Sequence, residues 1–121
     1  MEIMVRKNGT NAAIQAHILP DDKMRELGFT DRREDTWYFC KMRNVNRLRV
    51  SFNVSINKND PDDLRIDVLD EEWLQPYDYQ RILTHYPSNR YAPVVKKWVD
   101  KLMTKLVDAG VFSNWQVGDY V

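Results

Sequence analysis

The chain has 121 residues, with 18 Lys and Arg against 18 Asp and Glu, so its formal net charge is zero. This length is typical of one domain, which we expect to span 1–121, and fourteen aromatic residues (four Trp, six Tyr and four Phe) argue against intrinsic disorder. Zero net charge excludes a globally basic nucleic-acid binder and gives no general reason to bind an acidic membrane surface.

The charges are nevertheless unevenly distributed along the chain. Residues 1–59 hold 11 basic and 7 acidic side chains, whereas residues 60–121 hold 7 basic and 11 acidic ones. A local basic surface is therefore compatible with the zero total. So is neutralisation of one half by the other within one sheet, which is the interpretation that we favour.

A single cysteine, Cys40, excludes an intramolecular disulfide and a zinc site built from several cysteines. Its aromatic neighbours indicate a strand, so we expect a buried and unreactive thiol. The apolar runs are far shorter than the ~20 residues that cross a bilayer. No secretory signal is visible after Met1, and we therefore expect a cytoplasmic location.

The first 28 residues contain two turn signals. Asn8-Gly9 favours the positive φ angles of a tight turn, so residues 2–7 and 11–19 are predicted to form a β-hairpin. The alternative is a short helix that begins at Asn11. Residues 20–28 are predicted to form one or two helical turns, with Asp21 as the N-terminal cap and Gly28 at the end.

The centre of the chain has the clearest periodicity. Residues 36–43 are aromatic and strand-like, residues 44–46 form a connection, and residues 64–69 alternate after a turn at 58–63. Strict alternation over 47–57 is typical of a strand that is buried on one side only. Short connections make this a three-stranded antiparallel meander, with an apolar face formed by Leu48, Val50, Phe52, Val54 and Ile56.

The C-terminal third changes to a helical period. One helix is predicted over about 76–84, beginning at Pro76, and an amphipathic helix over about 90–109 has Pro93 in its first turn. Gly110 stands where a glycine commonly ends a helix. The tail, 111–121, has one charged residue, so we expect it to fold back on its own domain or to pack on a second subunit.

These elements together predict an α+β fold. Its antiparallel β-sheet has a three-stranded central meander, which the N-terminal hairpin can extend, and two C-terminal helices pack on one face. The other face of the sheet is polar and must meet water, a partner or the remaining segments of the chain.

Four basic residues of the central hairpin form a candidate nucleic-acid site. If Trp37 and Phe39 share their face, cations would lie beside stacking platforms, as in sheets that bind single strands. A register shift of one residue would instead place these aromatics in the core, and cross-strand pairing with acids such as Asp67 is the structural alternative. The four basic residues are Lys41, Arg43, Arg47 and Arg49.

The dense carboxylates of residues 60–72 provide a third hypothesis, a metal-dependent enzyme that uses Asp67, Asp70 and Glu71. The absence of glycine between 29 and 109 excludes an EF-hand loop there, and a solvated loop is the simpler interpretation. Neither His17 nor His85 has the spacing of a metal-ligand pair. We therefore predict no metal site, no cofactor and no catalytic residue.

Aromatic side chains concentrate at the corner between residues 73 and 80 and in the tail. Trp and Tyr are enriched in protein interfaces, but the interpretation that we favour for this corner is that Trp73 and Tyr77 fix the connection between strand and helix. We expect a small, non-enzymatic interaction or accessory protein whose partner is another protein or a second copy in a homodimer. Nucleic acid is the alternative partner, and no membrane is expected. The predicted interaction residues are Trp73, Gln75, Tyr77, Tyr79, Trp115 and Tyr120.

Overall fold

The computed structural model describes the backbone of residues 3–7 and 10–121, and the side chains from residue 13 onward. The strands of this part of the chain form two sheets, with the orders β1-β2-β8 and β3-β4-β5-β6-β7. In chain order, the elements are β1 (Ile3–Lys7), β2 (Thr10–Ala16), α1 (Asp21–Leu27), β3 (Thr30–Arg33), β4 (Thr36–Val45), β5 (Leu48–Asn57), β6 (Asp60–Asp70), β7 (Gln75–Pro76), α2 (Tyr79–His85), α3 (Ala92–Asp108) and β8 (Phe112–Ser113).

The N-terminal segments form the predicted hairpin, in which β1 and β2 pair antiparallel. Its predicted turn at Asn8-Gly9 lies outside the described residues. The sequence allows this hairpin to extend the central sheet, but the two belong to separate sheets. Instead, β2 pairs with β8, with Gln15 opposite Ser113, so that the end of the chain returns to the N-terminal hairpin.

Strands β4, β5 and β6 form the predicted antiparallel meander. The first connection is shorter than predicted, a turn at 46–47 with Asn46 in the left-handed conformation at φ 60°. Strand β6 begins at Asp60 rather than 64, because it continues past a register shift beside Asn57. Two short strands, β3 and β7, extend the meander at its edges to five strands.

The register sorts the side chains of the meander into two faces, since residues opposite each other in an antiparallel pair project to the same side. Trp37 lies opposite Ile56, and Phe39 lies opposite Val54, so both aromatics belong to the apolar face. This core face is confirmed. Its buried residues are Trp37, Phe39, Val50, Phe52, Val54, Ile56, Leu64, Ile66 and Val68.

Helix α3 provides the other side of the core. Pro93 lies in its first turn, as predicted, where a missing N–H costs no helical hydrogen bond. Its buried residues recur at spacings of three and four and belong to the same hydrophobic cluster as the core face of the sheet. They are Ala92, Val95, Val99, Met103 and Leu106.

The two shorter helices differ from their predicted starts. Helix α2 begins after Asp78, whose carboxylate accepts from the Arg81 N–H at 3.1 Å, because Pro76 belongs to β7 instead. Pro20, not Asp21, stands at the N-cap of α1, so the predicted cap is wrong. The predicted end of α1 is confirmed, since Gly28 has a φ of 109°.

The tail folds back on the chain that carries it. Gly110 turns the backbone at φ 89°, and Val111, Phe112 and Trp115 are then buried in the core. The Val121 N–H donates to the Tyr79 hydroxyl at 3.1 Å. Among the helices of the described residues, none has the length and hydropathy that a membrane crossing requires.

Candidate functional site

The most exposed apolar side chains of the described region lie next to each other, in the turn between β6 and β7. Trp73 is 70% exposed and Leu74 is 76% exposed. The Asp70 carboxylate holds the start of the turn, accepting from the backbone N–H of Glu72 at 3.0 Å and of Trp73 at 3.4 Å. We call residues 71–74 the 71–74 turn.

The backbone of this turn is strained at its tip. Leu74 has a φ of 51°, a left-handed conformation that a leucine adopts rarely because its Cβ approaches the carbonyl oxygen. Strain of this kind persists where the surrounding structure imposes it, and it concentrates at functional sites. The turn thus combines a strained backbone with two large apolar side chains in water.

The other residues of the aromatic corner have different environments. Tyr79 is buried in the core, while Tyr77 is half-buried beside it. Burial, with a smaller contribution from the Asp70 charge, raises the pKa of Tyr77. Gln75 and Pro76 are exposed in β7. Of the two residues predicted to fix the corner, Tyr77 packs against the core, whereas Trp73 projects into water, so the structural role predicted for Trp73 is wrong. The buried tyrosine of the corner is Tyr79.

The aromatic residues of the tail are also drawn into the fold. Trp115 is buried in the core, and Tyr120 packs against Tyr79 with ring centroids 5.5 Å apart. The Lys96 ammonium lies 4.8 Å from the centre of the Tyr120 ring. Of the predicted interaction residues, Trp73 is thus the aromatic one that remains largely in water.

A groove of about 380 Å³ opens between the edge of β4 and the first half of α3. Trp98 is half-buried in it and Val94 is partly exposed. Arg43 lies on the sheet side, and two lysines lie on the helix side. We call this the basic groove, and its lining residues are Arg43, Val94, Lys97, Trp98 and Lys101.

The cations of the basic groove form no ion pair with any other described side chain. In the region that the structure describes, the ion pairs join other basic residues, such as Lys58 with Asp31 and Lys96 with Asp100. Arg43, Lys97 and Lys101 have no carboxylate of this region within ion-pair distance. The groove therefore presents three positive charges around an apolar floor.

Strand β4 adds a free sheet edge to this groove. Strand β3 pairs with β4 only from Thr36 to Tyr38, so residues 40–45 of β4 pair with β5 alone among the described residues. A free edge presents unpaired backbone N–H and C=O groups, and charged side chains commonly protect it from unwanted pairing. Lys41 and Arg43 are the charged residues of this free edge of β4.

The prediction that the four basic residues of the central hairpin share one face is wrong. Lys41 lies opposite Phe52 and Arg43 opposite Val50, so both project to the core face, at its rim. Arg49 lies opposite Asn44 on the other face, and Arg47 is in the turn. With Trp37 and Phe39 buried, the four basic residues do not form one surface with stacking aromatics.

The acidic residues of 60–72 do not converge either. Asp67 lies opposite Asn53 on the polar face of the meander, which we call the open face, whereas Asp70 lies opposite Val50 on the core face. Asp60 accepts from the Asp62 N–H at 3.2 Å, just as Asp70 accepts from the backbone of the 71–74 turn. In the described part of the chain, no three acidic, histidine or cysteine side chains are placed to hold a metal ion.

Cys40 and His17 both lie on the surface of the described structure. Cys40 is exposed, so the prediction of a buried thiol is wrong. It lies opposite Asn53 on the open face, because Phe39 and Lys41 project to the other side. Partial burial and, to a smaller degree, the Glu71 charge raise its pKa. His17 forms a hydrogen bond of 3.0 Å with the Ser113 hydroxyl between β2 and β8.

The helical half of the basic groove is not among the sites predicted from the sequence. Val94, Lys97, Trp98 and Lys101 follow each other at helical spacings of three, one and three residues, so they share one strip of α3. The helical periodicity by itself predicts that Lys97 and Lys101 lie on the solvated face and that Trp98 lies in the apolar stripe. The groove could have been found from the border of the helix, where the apolar stripe and the lysine-rich face of α3 meet.

Comparison with known proteins supports the fold. No family model and no curated protein in the comparison matches the chain. The chain is similar in structure to a protein of the DUF1831 family from Lactobacillus plantarum, with a TM-score of 0.67 and 10% sequence identity. The similarity covers 91% of this chain and 93% of that protein. At this identity, the likeness establishes a shared α+β fold and carries no functional residue across.

Proposed function

We propose that this protein is a small, non-enzymatic interaction protein that self-associates through the 71–74 turn. The observation that supports this most is the exposure of Trp73 and Leu74, at 70% and 76%, side by side at the tip of one turn. Scattered exposed apolar residues are ordinary on soluble proteins. A contiguous apolar projection, by contrast, is typical of a surface that binds another protein.

The energetics favour a partner for this turn. Complete burial of a large apolar side chain contributes about 1.5–3 kcal/mol, and neither Trp73 nor Leu74 obtains this within the chain. Tryptophan is also enriched among the residues that dominate binding energy at interfaces. The acidic residues before it, Glu71 and Glu72, keep the projection soluble and favour a basic receptor.

The test is the solution mass of the protein, measured by sedimentation velocity from micromolar to millimolar concentration. We expect the wild-type chain to form a dimer as concentration rises, and the variant W73S/L74S to stay monomeric over the same range. Folding of the variant should be intact, because both side chains are exposed and contribute little to the core. Circular dichroism and thermal unfolding check this point.

Val117 provides the matched control, because it is an apolar residue of the tail with 66% exposure. The variant V117S should dimerise like the wild-type chain. A wild-type protein that is monomeric at every concentration would contradict the proposed self-association. Equal dimerisation of W73S/L74S and wild type would show that another surface is responsible.

A further inference from the structure

The 71–74 turn and the basic groove are chemically complementary. The turn places two carboxylates, Glu71 and Glu72, directly before two exposed apolar side chains. The groove places three cations around Val94 and Trp98. Each surface therefore has an apolar centre with charges at its border, and the two signs are opposite.

The turn does not occupy the groove of its own chain. Glu71 donates its backbone N–H to the Arg49 carbonyl at 2.9 Å, and the Asp70 carboxylate fixes the next two residues. These bonds hold the start of the turn beside β5. Trp73 and Leu74 then project into water, as their exposures show.

The turn and the groove lie at the same end of the central sheet. Arg43 and Asp70 both lie opposite Val50, on its two sides, so the three residues form one row across β4, β5 and β6. Neighbouring strands are about 4.8 Å apart, which places the Cα atoms of Arg43 and Asp70 about 10 Å from each other. The turn begins one residue after Asp70.

This placement suits a two-fold symmetric pair. In such a pair, one surface patch contacts its own copy, so that both a projection and its receptor must lie within that patch. A two-fold axis beside the row of Arg43, Val50 and Asp70 brings each turn to the groove of the other chain. The two contacts close the pair, and no chain is left with an open groove.

We infer that the basic groove is the receptor for the 71–74 turn of a second copy of the chain. This inference rests on the self-association proposed above and names the surface that receives the turn. Trp73 and Leu74 pack on Val94 and Trp98, while Glu71 and Glu72 face Arg43, Lys97 and Lys101. The site is incomplete in one chain alone, because its apolar floor is covered only by the partner.

Charge reversal tests this pairing. The groove variant K97E/K101E and the turn variant E71K/E72K each place like charges in contact, so each should weaken the dimer at least about tenfold. An equimolar mixture of the two variants should recover the dimer, because each turn then meets a groove of opposite charge. The chain that carries all four substitutions should dimerise by itself for the same reason. Sedimentation velocity measures all of these species.

The variant R90E/K105E provides the control. It makes the same change in net charge at two exposed positions outside the groove, before α3 and near its end. It should dimerise like the wild-type chain at physiological salt. Weakening of this control equal to that of K97E/K101E would attribute the effect to total charge and overturn the assignment of the groove.

The remaining outcomes separate the two proposals. If W73S/L74S is monomeric while both charge-reversed variants dimerise normally, the turn has another receptor and the groove assignment is wrong, although self-association stands. If the wild-type chain is monomeric, the proposed function itself fails. A single-stranded oligonucleotide that binds this monomer with a salt-dependent affinity, and not K97E/K101E, would assign the groove to nucleic acid and overturn the inference.

Discussion

The exposure of Cys40 depends on its position in the alternation of β4, where a shift of one residue would move its thiol to the core face. Cys40 stands between Phe39, which is buried, and Lys41, whose ammonium lies 5.7 Å from the centre of the Phe39 ring. A hydrophobic neighbourhood in the sequence predicts a core thiol, but alternation along a strand places every second side chain on the opposite face. The thiol therefore lies on the open face of the sheet.

The raised pKa of Cys40 has a measurable consequence. Since the thiolate is the reactive form, alkylation of Cys40 by iodoacetamide should follow an apparent pKa above the usual ~8.5 for a free cysteine. Burial is the main cause and the Glu71 charge the smaller one, so E71Q should lower this apparent pKa by a fraction of the shift. The variant E72Q is the control. An apparent pKa below that of a free cysteine would contradict this environment.

The charged residues around Trp37 could not be predicted from the sequence. Its indole is fully buried, and the Lys58 ammonium and the Arg25 guanidinium lie 4.4 Å and 5.4 Å from the ring centre. Asp31 holds both cations in place, which lowers the pKa of its carboxyl, chiefly through the hydrogen bond from Lys58. Arg25 is in α1, Asp31 is in β3 and Lys58 follows β5, so no periodicity within one element indicates that these three residues meet.

At the scale of elements, strands and long helices were predictable because their periodicity extends over many residues. The alternation of β5 predicted its buried face, and the stripe of α3 predicted its partner in the core. Elements of two to four residues, such as β3, β7 and β8, carry no period. Only tertiary pairing defines them, and β8 in particular depends on the return of the tail to β2.

In the 71–74 turn, the leucine side chain that we propose for the dimer contact also forces a strained backbone on the monomer. A left-handed backbone costs a residue with a Cβ roughly 1–2 kcal/mol, while glycine adds about 0.5–1 kcal/mol of unfolded-state entropy. The variant L74G should therefore stabilise the monomer by about 0.5–1 kcal/mol in urea unfolding, and weaken the dimer because the leucine side chain is lost. If L74G destabilises the monomer instead, the turn is not strained as its φ of 51° indicates.

Over the whole molecule, a net charge of zero is compatible with two separate charged surfaces, the basic groove and the acidic 71–74 turn. The cations of the basic groove come from both halves of the sequence, Arg43 from the first and the two lysines of α3 from the second. Division of the sequence at residue 59 therefore predicted a basic region but not its location. The groove required the three-dimensional packing of α3 beside the free edge of β4.

The four tryptophans allow a direct measurement of self-association through the 71–74 turn, because each gives one indole N–H signal in a ¹⁵N–¹H spectrum. Trp73 is exposed in the turn and Trp98 lines the groove, whereas Trp37 and Trp115 are buried elsewhere in the core. On dilution from millimolar to micromolar concentration, we expect the signals of Trp73 and Trp98 to shift together while those of Trp37 and Trp115 remain in place. A Trp73 signal that is unchanged over this range would contradict self-association through the turn.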